Sequence, residues 1–136
     1  MKNIYLIFIL ALMVACKDST IDSSKEGLTG KWKLIKYCKP TGTTTCSEVI
    51  IPANKSVFIE FTKNNKFDEY YKNTIPVEYA FLGCFNGTYT IEDKNVRIIA
   101  GCMSSSAGKL ISIVSLSKNQ LILNPFGSGE YIFEKE

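Results

Sequence analysis

The sequence predicts an all-β domain, an antiparallel up-and-down meander of about eight strands. Two observations carry that expectation. Turn signals recur at short intervals, at Asn64-Asn65, Asp93-Lys94-Asn95, Lys118-Asn119 and Gly127-Ser128-Gly129. The runs between them are rich in β-branched and aromatic residues, with apolar side chains on alternate positions: Val57, Ile59 and Phe61, Tyr89 and Ile91, Val96 and Ile98, Leu121 and Leu123. A period of two puts one apolar face on each strand. A meander buries that face either by closing into a barrel or by folding over as a sandwich.

The N-terminal segment is of another kind. After Met1-Lys2-Asn3, eleven apolar or aromatic residues run unbroken from Ile4 to Val14, and the small Ala15 precedes Cys16. Charged, apolar and small-residue regions in that order read as a secretory signal over residues 1–15. As a helix the run would span ~17 Å, too short for a hydrocarbon core of ~30 Å. "MVAC" resembles a bacterial lipoprotein box, in which the cysteine becomes the lipidated first residue of the mature chain. The resemblance implies lipidation of Cys16 and permanent membrane attachment, since two or more acyl chains hold firmly where one does not. "KDSTIDSSKE", polar and without hydrophobic period, reads as a flexible tether, so that residues 16–26 join the anchor to a domain over 27–136.

Within that domain "LTGKWKLI" opens the first strand. "SVFIEFT" and "KFDEYY" form a hairpin around Asn64-Asn65, and "GTYTIE" and "NVRIIA" form another, in which matching the apolar faces pairs Ile91 with Val96 and Tyr89 with Ile98. "LISIVSLS" and "QLILN" make a third hairpin, and "EYIFEK" is the last strand. Four cysteines remain besides Cys16, an even number that in a secreted protein favours two disulfides. "CKPTGTTTC" is an excursion around Gly42 that a Cys38–Cys46 bridge would pinch at its base, and Cys84 and Cys102 flank the 86–100 hairpin. The hairpin's register leaves Cys84 one residue out of step with Cys102, so pairing must end, or a bulge intervene, before the bridge.

Gly30-x-Trp32 resembles the lipocalin signature, in which a tryptophan plugs one end of an eight-stranded up-and-down barrel. Small lipocalin-like domains of Gram-negative envelope lipoproteins are similar over residues 28–134. They share the lipoprotein box, a short tether, the L-x-G-x-W opening and hairpins like "FTKNNKF" and "LSKNQLIL". Where lipocalins cover the tryptophan with an arginine near the last strand, this sequence has Lys135. The resemblance implies a closed barrel, an address in the cell envelope on the periplasmic or surface face of the outer membrane, and a small hydrophobic, lipid-like ligand.

Chemistry is sparse. The chain has no histidine, which removes the commonest general base and excludes Ser-His and Cys-His nucleophiles. No C-x-x-C spacing points to a metal, and neither Asp68-Glu69 nor Glu92-Asp93 forms an acid–base couple, because strand neighbours face opposite ways. With one arginine, Arg97, among 16 scattered basic residues, a nucleic-acid surface is rejected. The expectation is a non-enzymatic protein without cofactor or metal. As a carrier it would seat its ligand against Ile59, Phe61, Tyr89, Ile98 and Leu121, the inward phase of the central strands, with Trp32 closing one end. The alternative is a filled barrel that docks on an envelope partner, for which Phe81, Leu82 and Phe85 in the apolar "YAFLGCF" are the candidates unless they belong to the core.

Overall fold

The computed structural model describes residues 25–136. The expected signal over 1–15, the lipidation candidate Cys16 and the tether up to residue 24 lie outside the described residues. The tether was expected to reach residue 26, but Lys25–Leu28 already forms one helical turn, α1. That turn delivers Leu28, fully buried, to the core.

Nine strands follow among the described residues: β1 (Gly30–Pro40), β2 (Cys46–Ile50), β3 (Ser56–Phe61), β4 (Lys66–Lys72), β5 (Asn86–Glu92), β6 (Asn95–Ala100), β7 (Lys109–Leu116), β8 (Gln120–Asn124) and β9 (Tyr131–Lys135). All pair antiparallel with their neighbours, and β9 returns to β1, with Trp32 opposite Lys135 and Tyr37 opposite Tyr131. This pairing closes β1 and β3–β9 into the expected eight-stranded barrel. β2 is the addition. It lies against the second half of β1, from Lys36↔Ile50 to Pro40↔Cys46, as a flap on the edge opposite β9, which β3 occupies along the first half. "CSEVI" shows no apolar alternation because of these five residues only Val49 packs against the core.

The expected register of the β5–β6 hairpin holds, with Tyr89 opposite Ile98 and Ile91 opposite Val96. Its turn residue Asp93 and its counterpart Asn65 in the β3–β4 hairpin both take the left-handed conformation that short polar side chains tolerate. Two β-bulges bend the ring. At Ile35 the β1–β9 register slips by one residue, so the buried positions of β1 run Trp32, Leu34, Tyr37. At Val114 the same device makes those of β7 run Ile111, Ile113, Leu116. A bulge puts an extra residue on one strand, which turns the strand and shifts its inward phase.

The ring packs one core to which every barrel strand contributes. One end is closed by Trp32, whose Nε1 donates to the Leu28 carbonyl at 2.8 Å. Lys135 lies across the indole with Nζ 4.2 Å from the ring centroid, and donates to the Thr29 carbonyl at 2.6 Å. Lys135 therefore stands where the resemblance placed an arginine. Gly30 makes room for it: the backbone there has φ 129°, and a Cβ would overlap the lysine chain. The opposite end is less regular. β4 and β5 pair only from Lys66↔Thr88 to Asp68↔Asn86. Above Asp68 the ladder parts, and residues 73–85 cross the opening as a strap.

Candidate functional site

The strap is held from beneath by one side chain. In "KFDEYYK" the inward phase of β4 runs Phe67, Glu69, Tyr71, so the alternation that buries Phe67 also carries a carboxyl group inside the barrel. Glu69 is 1% exposed. Its Oε1 accepts from the Phe81 amide at 2.8 Å, the Gly83 amide at 3.3 Å and the Tyr71 hydroxyl at 2.5 Å. Oε2 accepts from the Leu82 amide at 3.0 Å. Four donors and no acceptor face the group, an arrangement that suits an ionised carboxylate. The contact pairs three amides of the strap, and the Glu69 amide in turn donates to the Phe85 carbonyl at 2.7 Å.

The latch sets Phe81 into the barrel. Its ring is buried and meets Tyr131 and Phe133 edge-on, with centroids 5.5 and 5.3 Å away. Tyr131 in turn stacks on Tyr37 at 4.7 Å. Burial raises the phenol pKa of Tyr37, with Tyr79 adding to it, and raises that of Tyr131 to about 12, with Tyr37 and Glu69 adding. Burial also raises Tyr71, reinforced by its hydrogen bond to Glu69.

The strap's two ends turn on Asn73 and Gly83, both with positive φ. On its outer side Glu78 pairs with Lys55 and accepts from Thr74 Oγ1 at 2.8 Å, and the lysine bond holds its carboxyl below the usual range. Beyond Gly83, Cys84 reaches Cys102 at a Cα–Cα distance of 5.6 Å. The β5–β6 ladder has ended by then at Gly87↔Ala100, which frees Cys84 from the hairpin's facing. Cys38 and Cys46 stand 5.3 Å apart at the base of the β2 flap. Both pairs expected from spacing are thus at disulfide distance.

Over the strap lies a cleft of about 520 Å³, walled by Tyr37, Ala80, Phe81, Phe126 and Tyr131, with Lys39 and Glu78 on its rim. Leu82 and Phe126 also border a neighbouring cleft of about 380 Å³, which contains the Cys84–Cys102 pair and Lys109. Lys109 Nζ lies 4.4 Å from the Phe126 ring centroid. The six side chains expected to line a cavity, Trp32, Ile59, Phe61, Tyr89, Ile98 and Leu121, are all buried in the common core, and none borders these two clefts. Tyr89 shows how they pack: its ring meets Phe61 edge-on at 4.9 Å, and its hydroxyl donates to the Thr62 carbonyl at 2.8 Å. Of the docking candidates, Phe81 is core, Leu82 is half-buried and Phe85 is 63% exposed. Glu69 is the residue the sequence reading passed over. Its signal was a charge on the inward phase of a strand, between two aromatic residues. Among the described residues no three His, Cys, Asp or Glu side chains stand together to hold a metal, and no helix is long and apolar enough to cross a membrane.

A family model described as a lipocalin-like domain matches residues 28–123. The chain belongs to this lipocalin-like family. An uncharacterized protein from Bacteroides eggerthii has the same fold, with a TM-score of 0.55 at 20% identity, over 80% of this chain and 99% of the other. A lipocalin-like protein from Bacteroides uniformis gives a TM-score of 0.45 at 18% identity, over 81% of this chain and 99% of the other. No curated protein matches the chain. Lipocalin-like barrels are binding folds, and an eight-stranded ring is just wide enough to be filled by its own side chains or to hold one small ligand. In this member the open end is the strapped mouth.

Proposed function

We propose that the chain is a lipid-anchored lipoprotein of the cell envelope, held at the outer membrane through Cys16, whose barrel binds a small hydrophobic ligand at the strapped mouth. The observation that carries this reading is the cleft of about 520 Å³ with aromatic walls at the mouth of a lipocalin-like barrel. Its volume lies within the ~300–1,000 Å³ of small-molecule sites. The described chain begins at the end plugged by Trp32, opposite the strapped mouth.

Titrating the purified chain with a panel of apolar compounds, read by native mass spectrometry, tests the binding role. Saturable one-to-one binding is expected, and Ala80→Trp, which fills the cleft, should abolish it with the fold intact. Absence of binding across the panel would overturn the carrier. Anchoring has a separate test, because Cys16→Ser should abolish fatty-acid labelling in cells. A second reading, docking on an envelope protein, is favoured by Val77 and Phe85, 92% and 63% exposed beside the mouth. In that case Val77→Asp, and not Ala80→Trp, would disturb function.

A further inference from the structure

The strap is a peptide that fills a pocket of its own protein. Phe81 occupies an aromatic seat against Tyr131 and Phe133, and the amides of Phe81, Leu82 and Gly83 satisfy the buried carboxylate of Glu69. The three residues also floor the cleft, so Glu69 lies directly beneath it. Deeper in, toward the plugged end, Phe61 packs against both Phe67 and Tyr89, all three fully buried. Whatever replaces the strap must meet two conditions. It must fill a seat the size of one ring, and it must return hydrogen-bond donors to a carboxylate that is costly to leave unpartnered.

We infer that residues 73–85 are the built-in occupant of the ligand seat, and that the ligand displacing them is a compact aromatic amine rather than a fatty acid. This rests on the binding role proposed above and narrows it. An ammonium group supplies several N–H donors and a charge opposite to that of Glu69, whereas a carboxylate supplies no donor and is repelled. The cations near the cleft do not reverse this. Lys39 is on the outer rim and Lys109 lies over Phe126, both on the solvent side of the strap. The hardware for displacement is present. Asn73 and Gly83 turn the two ends of the strap, and the Cys84–Cys102 link keeps its far end attached when it leaves.

The test compares phenethylamine, 3-phenylpropionate and palmitate on the full chain, with affinity read by titration and strap opening by amide hydrogen exchange. Phenethylamine should bind about tenfold or more tightly than 3-phenylpropionate, one opposite-charge contact in a desolvated site being worth at least that factor. It should also speed exchange at Phe81, Leu82 and Gly83, because the ligand and the strap compete for one seat. Glu69→Gln should remove the preference between amine and acid. Equal affinity for the two phenyl compounds, or tighter binding of palmitate, overturns the inference. So does amine binding that slows exchange at these amides, since the ligand then lies over a closed strap; the carrier role survives that result. If none of the three probes binds, while other apolar compounds do, the amine specificity alone fails. If nothing binds at all, the carrier role fails with it.

Discussion

The two ends of the barrel are closed by different means. At the plugged end, Trp32 is fixed by its neighbours in sequence, α1 and Leu28, and covered by Lys135 across the β1–β9 seam. The contacts there come from ring strands and from the turn that leads directly into β1. At the mouth, closure comes from a separate segment, placed where β4 and β5 part, latched from inside by the Glu69 carboxylate and tied at its edges by the Glu78–Lys55 pair and the Cys84–Cys102 link. The plug is part of the core, whereas the strap is an added piece with its own fastening. This difference predicts that the plug fails globally and the strap locally.

The largest effect should come from the plug. Trp32→Ala removes a fully buried indole and should cost about 3–5 kcal/mol, lowering the denaturation midpoint of the whole barrel. A fall confined to one end would erase the distinction. Next is the covalent fastening of the strap. Replacing Cys84 and Cys102 by serine opens a loop of nineteen residues, worth about 3 kcal/mol in the chain-entropy model, and the change should appear in the unfolding midpoint of oxidised but not of reduced protein. Glu69→Gln comes third, at roughly 1–3 kcal/mol for a weakened charge-assisted contact. Its signature is location: amides 81–83 should exchange faster while those of β1 and β9 keep their protection. Uniform acceleration across the barrel would show that the strap is not a separate unit.

The smallest effect is in alkali, and the two ends should answer with opposite signs. Tyr131 has its pKa raised to about 12 from 10.0, so between those values the folded state holds a proton that the unfolded chain has lost. Its stabilising contribution is full below pH 10.0 and disappears as the pH rises through the folded value. Lys135 is lowered from 10.5 by burial, so just below that value the unfolded chain holds the extra proton and stability gains as the pH rises. Phenolate absorbance should therefore show late titration of the mouth tyrosines. Lys135→Met should remove the opposing gain and steepen the loss of stability measured by denaturant titration at high pH.

Much of this was legible in the sequence, for physical reasons. The eight barrel strands announce themselves because one face of each is buried, and the pairing of Tyr89 with Ile98 follows from matching those faces. The cysteine pairs follow from hairpin geometry once secretion is assumed. What escaped was whatever the inward period does not control. β2 has almost no buried face, so it left no pattern. The bulges at Ile35 and Val114 break the period they belong to. Glu69 was legible as a residue but not as a latch, because its partners lie twelve to fourteen positions away on a segment without regular structure. The seat of a ligand was placed by alternation in the middle of the ring, where the structure has core, and the clefts lie instead among loops that alternation does not describe.

One feature of the ring also has a kinetic side. β1 serves three neighbours, β2, β3 and β9, and its last partner is the final strand of the chain. Thr29 and Lys135, joined at the seam, are 106 positions apart. During synthesis the first strand therefore emerges with one edge bare and keeps it bare until almost the whole chain has followed. Pairing over that separation is slow. In the interval the exposed edge is open to strands of other chains, and an assembly arrested before β9 would present two such edges. The seam that makes the finished barrel edgeless thus defines the period in which the nascent chain most needs a chaperone.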